Sequence, residues 1–269
     1  MKKKAVIILI CAAAAAAALW AAREYLPGKE RQSSGRREGA ADAAAEDRET
    51  EYPEASVQEP ESAGEPQATE EPAPEPFPVF ESELISDEIF ARMYGKSYKE
   101  DCTVPREELR YLRLSHYGFD GQIHEGEMVV NAAIADEVTE IFRELFEARY
   151  PIEKMRLIDD YDADDESSMA DNNSSAFNYR TISGTDKLSN HSRGMAIDIN
   201  PLYNPYIHSN TGTEACEPAN ALPYTDRSLD FPYKIDETDL CYQVFTAHGF
   251  SWGGSWSSAK DYQHFEYTE

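Results

Sequence analysis

The pattern of apolar and polar residues divides the chain near residue 80. From about Phe80 to Glu269 aliphatic and aromatic residues are dense enough for one domain of about 190 residues. Residues 23–79, in contrast, are rich in Glu, Ala, Pro and Ser and offer few apolar side chains for burial. Such a composition is typical of a disordered, extended spacer. An acidic interaction tail is the alternative interpretation of this linker.

Three segments of the domain show helical periodicity. Residues 131–151 have Asn131 as a potential N-cap and end before Pro151. The apolar residues of this segment form one stripe, which consists of Ile134, Val138, Ile141, Phe142, Leu145 and Phe146. Residues 86–98 begin with a serine N-cap and acidic residues, and residues 238–250 end at a glycine. We expect a short helix in each of these two segments.

Other segments have the alternation or composition of strands and loops. Residues 105–119 begin like a turn or helix and continue into an alternating strand, "LRYLRLSHY". Residues 154–161 and 176–183 are predicted strands. The carboxylates of residues 162–175 suggest a calcium site, but the ligand spacing and central glycine of an EF-hand loop are missing. A solvated polar loop is therefore the favoured interpretation of this segment.

The stretch "LSNHSRGMAIDIN", residues 188–200, combines a histidine, a glycine and an aspartate among small apolar residues. Gly194, the isoleucines and the following proline favour a turn and a strand over a helix. In a strand over 195–200, Ala196, Asp198 and Asn200 share one face. The turn at Gly194 can then fold His191 back towards Asp198.

The first 22 residues predict export or membrane attachment. Three lysines precede an uncharged stretch, Ala5 to Ala22, of about 18 residues, which nearly spans a bilayer core of about 30 Å. A cleaved signal peptide and an uncleaved anchor both fit, because no clear cleavage site precedes Arg23. Lipid attachment at Cys11 is disfavoured by the bulky residue before it. The lysines predict that everything after residue 22 is extracytoplasmic.

Charge and cysteine content narrow the possible partners. A net charge of −26 argues against nucleic acid and against adhesion to anionic lipid. No obligate protein partner is evident. Cys102, Cys216 and Cys241 permit one disulfide by any of three pairings, and without a C-x-x-C spacing they do not predict a cysteine zinc site.

His191 and Asp198 could provide two of the three protein ligands of a catalytic zinc ion. His264, in the strand-like "YQHFEY", could be the third. Asp261 lies three residues earlier and could act as a general base towards water. The nearby loop with Gly253, Gly254, Trp252 and Trp256 could be shaped around a substrate.

The combination of these residues resembles a known family. "SNHSRGMAIDIN" fits S-x-H-x-x-G-x-A-x-D and, with "DYQH", resembles the zinc D-alanyl-D-alanine carboxypeptidases and L-alanyl-D-glutamate endopeptidases that cut peptidoglycan stem peptides. "GEMVVN", "PIEKMRLID", "NNSSAFNYR", "INPLYNPY" and "WGGSW" are also similar to the core domain of that family. The resemblance covers nearly all of residues 100–268.

The resemblance implies a Hedgehog/DD-peptidase-like α+β fold, a single domain with a small antiparallel sheet flanked by helices. It implies one Zn²⁺ ion bound by His191, Asp198 and His264, with Asp261 as the catalytic base. Arg180 would polarise the scissile carbonyl or bind a substrate carboxylate. The alternative role for Arg180 is a structural salt bridge.

The resemblance also suggests substrate contacts, and it includes two departures from the family pattern. Ser189 could bind substrate or only form the turn, and Trp252 and Ser255 are further expected contacts. Many relatives have Asp at Ser255 and Cys at Tyr179, and we expect both positions near the substrate groove. These departures leave bond specificity open.

The implied function is a zinc metallopeptidase of the bacterial cell surface that remodels peptidoglycan. A catalytically inactive zinc module that recognises wall peptide or a partner protein is the alternative. The sequence contains no G-x-S-x-G motif, the nucleophile turn that would indicate a serine hydrolase. The remaining histidines are expected to have structural roles: His116, His124, His208 and His248.

Overall fold

The computed structural model describes residues 78–182, 185–208 and 216–268. The expected N-terminal signal or anchor, residues 1–22, and nearly all of the expected linker lie outside these ranges. Within them, no helix has both the length and the apolar character needed to cross a membrane. Helices and small sheets are mixed along the chain, which confirms the predicted α+β class.

The largest sheet is antiparallel and contains three strands in the order β1-β2-β3. These are β1 (Phe80–Leu84), β2 (Leu109–Tyr117) and β3 (Ile123–Asn131). The β2 strand matches the predicted alternating segment. The pattern did not indicate β3, because its first half is mostly exposed whereas its second half is buried on both faces.

The described residues form four α-helices: α1 (Asp87–Met93), α2 (Ala135–Glu147), α3 (Asp165–Ala170) and α4 (Leu240–Ala247). The predictions of α1, α2 and α4 are confirmed, although each helix is shorter than expected. Asn131 does not cap α2. Its Oδ1 accepts a hydrogen bond from the Ala133 amide at 3.0 Å, which forms a turn before the helix.

Eight short strands complete the fold: β4 (Lys154–Met155), β5 (Asn173–Ser174), β6 (Ala196–Asp198), β7 (Tyr206–Ile207), β8 (Cys216–Glu217), β9 (Ser251–Trp252), β10 (Lys260–Asp261) and β11 (His264–Glu266). β4 and β5 form a parallel pair. Two antiparallel sheets follow, with the orders β6-β11-β9 and β10-β7-β8. Small antiparallel sheets therefore occur together with helices, as the resemblance implied.

The middle of the domain departs from the sequence prediction. The expected strand 154–161 ends after two residues and continues as a 3₁₀ helix over Ile158–Tyr161. The expected solvated loop contains α3, because the Asp164 carboxylate accepts a hydrogen bond from the Ser167 amide at 2.8 Å and caps a helix there. The segment 176–183 is extended up to residue 182 but forms only isolated bridges.

The main core lies between α2, α4 and the strands that carry the expected metal ligands. Ile197 of β6 and Phe265 of β11 are fully buried, and the Phe265 ring stacks on Phe245 of α4 with 4.3 Å between centroids. Each such side chain stabilises the fold by about 1.5–3 kcal/mol. Because strand residues alternate, Asp198 and His264 point to the opposite face from this core.

The three described cysteines are free. Cys241 is buried, whereas Cys102 and Cys216 are half-buried. None of the three disulfide pairings that the sequence permits is formed among them.

Candidate metal centre

A tight turn positions His191. The residue lies in a 3₁₀ helix, Asn190–Arg193, where the Ser189 hydroxyl accepts a hydrogen bond from the His191 amide at 3.3 Å. Gly194 ends this helix with φ +67°. A Cβ at Gly194 would lie 2.6 Å from the Asn131 backbone nitrogen, so that only glycine fits. The turn brings His191 to the end of β6, as the sequence predicted.

Strand pairing positions the other two expected ligands. Asp198 of β6 lies directly opposite His264 of β11 in the antiparallel register. Directly opposite residues project from the same face with adjacent side chains. Asp198 and His264 are therefore neighbours although they lie 66 positions apart in sequence. His191 approaches them on the same face of the sheet.

The three side chains form one buried cluster whose spacing suits a metal ion. His191 Nε2 lies 3.1 Å from His264 Nδ1 and 3.2 Å from Asp198 Oδ2, and His264 Nδ1 lies 3.1 Å from Asp198 Oδ1. Ligand atoms about 2.0–2.1 Å from a tetrahedral zinc ion are roughly 3.3–3.4 Å apart. Both the donor types and their separations therefore fit zinc.

Each histidine of the cluster uses one ring nitrogen for a hydrogen bond outside the cluster, which leaves the other nitrogen facing the cluster. His191 Nδ1 donates to the Ala176 carbonyl at 2.6 Å, and His264 Nε2 donates to Glu266 Oε2 at 3.3 Å. His191 Nε2 and His264 Nδ1 are consequently the nitrogens whose lone pairs, once deprotonated, would face a cation. The roles of donor and acceptor follow from the partners, since a carbonyl and a carboxylate can only accept.

Glu266 is a member of this site that the sequence reasoning missed. Its Oε2 also accepts a hydrogen bond from the Asn190 side chain at 2.5 Å. Glu266 thereby connects β11 to the 3₁₀ helix that carries His191. The available signal was its position two residues after His264 in a strand, which places both side chains on one face.

The cluster is strongly coupled electrostatically. Burial alone would raise the pKa of Asp198, but His191 and His264 outweigh it and hold this pKa well below its usual range. Burial alone would lower the pKa of His264, but hydrogen bonds to Asp198 and Glu266 raise it to about 10. Two imidazoles and a buried carboxylate thus create a strong site for positive charge.

A cavity of about 280 Å³ opens beside the cluster, and Asp261 and Arg180 also line it. Asp261 Oδ1 is buried and has no hydrogen-bond partner in the described part of the chain. Burial raises the pKa of Asp261 to about 7. A carboxylate with this pKa and a free oxygen has the properties of a general base.

Arg180 forms a structural ion pair and also lines the cavity. The partner of its guanidinium is Asp165 of α3. Burial raises the pKa of Asp165, whereas the charge of Arg180 opposes this effect. The ion pair can therefore hold the guanidinium in place at the cavity wall.

The other expected substrate contacts are distributed differently. Ser189 lines the cavity, whereas Trp252 and Ser255 do not. Trp252 is directly opposite the core residue Phe265 in β9 and β11, so its ring is buried in the core. Ser255 is exposed. Trp256 lines the cavity instead, with its ring centroid 5.3 Å from that of His264.

Tyr179 is buried in the second apolar cluster together with Phe177 and Leu157. It is absent from the described lining of the cavity. Tyr179 therefore does not form part of the wall of this cavity. The tyrosine serves packing against the sheet and α1 instead.

The remaining histidines have distinct environments. His116 is buried, and burial together with the neighbouring His124 lowers its pKa to about 4. The ring of His248 contacts the carboxylates of Glu137 and Glu144 at 2.6 and 3.1 Å. His208 lines the cavity, which the sequence did not indicate.

Comparison with known proteins supports the resemblance seen in the sequence. Residues 183–267 match the sequence model of a family described as D-alanyl-D-alanine carboxypeptidase. This is a family of zinc peptidases, and the matched segment contains the His-Asp-His cluster and Asp261. Searches of curated proteins and of solved structures gave no significant match. The match covers less than half of the chain and indicates a zinc-dependent peptidase.

Proposed function

We propose that the chain is a zinc metallopeptidase that hydrolyses peptide bonds in peptidoglycan stem peptides. The observation that carries this proposal is the buried cluster of His191, Asp198 and His264, which shares one cavity with Asp261. The family match over residues 183–267 supports the same chemistry. A purely structural zinc site would have no need of an unpartnered, buried carboxylate beside it.

Each cavity residue has a role in the proposed reaction. A zinc ion bound by His191, Asp198 and His264 would act as a Lewis acid and would lower the pKa of a water molecule. Asp261 accepts a proton from the attacking water through its free Oδ1 and later donates it to the departing amine. Arg180, held by Asp165, stabilises negative charge on the carbonyl oxygen or binds a substrate carboxylate.

The type of bond is a finer part of the proposal. Both D-Ala-D-Ala carboxypeptidase and L-Ala-D-Glu endopeptidase activity are compatible with a cavity that offers Arg180 and Ser189 beside the cluster. We further propose an extracytoplasmic location at the bacterial surface. This location rests only on the apolar segment 5–22 and the lysines before it.

The test is hydrolysis of purified muropeptides by the zinc-loaded full chain, with the products identified by mass spectrometry. We expect Asp261→Ala to lower kcat by about 10²–10⁴-fold, since that is the usual contribution of a general acid–base. Exposed Glu237→Gln provides a control. Stoichiometric zinc binding without cleavage of any bond would instead support the inactive binding module.

A further inference from the structure

One wall of the cavity is a row of three side chains on neighbouring strands. In the sheet β10-β7-β8, Asp261 lies directly opposite Tyr206, and Tyr206 lies directly opposite Glu217. Directly opposite residues project from one face, with Cα atoms about 4.5–5.5 Å apart. Glu217 is therefore on the same wall as Asp261, at a Cα separation of about 10 Å. All three side chains line the cavity.

Among the described residues, the Glu217 carboxyl group has no lysine or arginine partner. Its one hydrogen-bonding partner among the described residues is His208, whose Nε2 lies 3.1 Å from Glu217 Oε1. The Glu217 side chain lines the cavity and remains 39% exposed. Arg180, the one lysine or arginine in the described lining, is paired with Asp165. The sequence between His208 and Cys216 contains no lysine or arginine.

A second acceptor without a hydrogen-bond partner also lines the cavity. Gln263 is only 2% exposed and lines the cavity, and its Oε1 is buried without a partner in the described ranges. The Gln263 amide also lies close enough to Asp261 to lower the pKa of that carboxyl. A carboxylate requires the NH₂ group of the amide, so the carbonyl oxygen of Gln263 is the atom that remains free. Buried acceptors of this kind require donors from elsewhere.

We propose that this wall is a subsite for a primary ammonium group of the substrate, which Glu217 binds. The inference rests on the proposed peptidase function and specifies its substrate class. An extended peptide advances about 3.3 Å per residue, so about 10 Å corresponds to two or three residues from the bond at Asp261. The ammonium group belongs to the side chain of a diamino residue at that distance or to a free N-terminus.

The experiment compares matched peptides with the zinc-loaded full chain. One pair has lysine or norleucine two or three residues from the scissile bond, and a second pair has a free or an acetylated N-terminus. We expect the wild type to cleave the ammonium-bearing member of one pair with a kcat/KM about 10- to 100-fold higher, the usual effect of a hydrogen bond to a charged group. The pair that shows the difference identifies the source of the ammonium.

Substitution of Glu217 then assigns the effect. Glu217→Gln should remove the preference by lowering kcat/KM for the ammonium peptide alone, whereas Glu83→Gln, at an exposed position of β1, should leave it unchanged. Equal cleavage of both members by the wild type, or an equal loss for both in Glu217→Gln, would overturn the inference. The uncharged peptide reports any general damage to the fold.

The same peptides separate this inference from the proposed function. If the chain cleaves no peptide, the peptidase function fails, but calorimetric binding of each pair still tests the subsite. Tighter binding of the ammonium peptide that Glu217→Gln abolishes would support the subsite. Equal binding of both peptides would refute it.

Discussion

Glu266 is expected to control zinc affinity without touching the ion. It accepts the Nε2–H of His264 at 3.3 Å and a hydrogen bond from the Asn190 side chain, and so orients one ligand and ties it to the helix of the other. Glu266→Ala removes both bonds. Glu266→Gln retains one acceptor oxygen but removes the charge that makes the imidazole a stronger ligand.

The size of the effect follows from these contacts. Loss of an outer hydrogen-bond partner of a ligating histidine usually weakens metal binding by about 10–100-fold. At 1.36 kcal/mol per tenfold change, this range corresponds to about 1.4–2.7 kcal/mol. We expect Glu266→Gln near the lower limit and Glu266→Ala near the upper limit, because Ala also releases Asn190.

Zinc affinity is measured by competition with a chromogenic chelator at constant pH on the full chain. Glu237→Gln, a substitution at an exposed position, should bind zinc like the wild type. If Glu266→Ala bound zinc within about twofold of the wild type, the proposed role of the His264–Glu266 hydrogen bond in ligation would be refuted. Thermal unfolding of the metal-free variants checks that the domain remains folded.

Three further predictions concern stability and substrate binding. Burial would lower the pKa of His248, but its two carboxylate partners raise it. The ion pairs of the protonated ring therefore stabilise the fold fully below pH about 6.5. This stabilisation is lost as the pH rises through the raised pKa. Urea unfolding should show that His248→Gln removes this pH-dependent stabilisation. Its size is at most about 1 kcal/mol because the partners are half exposed. An unchanged pH dependence in the variant would contradict the prediction. Gly194→Ala should destabilise the domain by about 1–3 kcal/mol more than Gly95→Ala. Both glycines have positive φ, but of the two only Gly194 lacks space for a Cβ. Equal melting temperatures of the two variants would exclude the steric argument. Trp252→Ala should cost about 3–5 kcal/mol of stability, whereas Trp256→Ala should mainly raise KM; the opposite pattern would reverse their assignments.

Local periodicity and turn-forming residues were sufficient to predict individual strands, turns and helices whose residue patterns lie within one short segment. The strand at Asp198, the turn at Gly194 and the stripe of α2 follow from residue spacing within short segments. The prediction of residues 162–175 failed because the Asp164 cap was interpreted as a loop residue. A capping carboxylate and a solvated carboxylate have the same sequence signature when few apolar residues follow.

Apart from the proximity of Asp198 and His264, which the motifs indicated, the parts of the site that depend on pairing between distant strands could not be predicted from local patterns. Trp252 faces the core because β9 pairs with β11 in a register that places it opposite Phe265. The proximity of Glu217 to Asp261 likewise depends on the order β10-β7-β8. Residue patterns within β7, β8 and β10 do not specify the order of these three strands, because tertiary packing determines which strands pair.

Zinc titration with simultaneous measurement of turnover tests the central claim most directly. The full chain is treated with a chelator, zinc is returned stepwise, and cleavage of a stem peptide is followed together with bound zinc. We predict that turnover is lost on chelation, rises in proportion to bound zinc and saturates at one ion per chain. Turnover that survives complete removal of zinc, or no turnover with the site fully occupied, would contradict the assignment of a zinc peptidase.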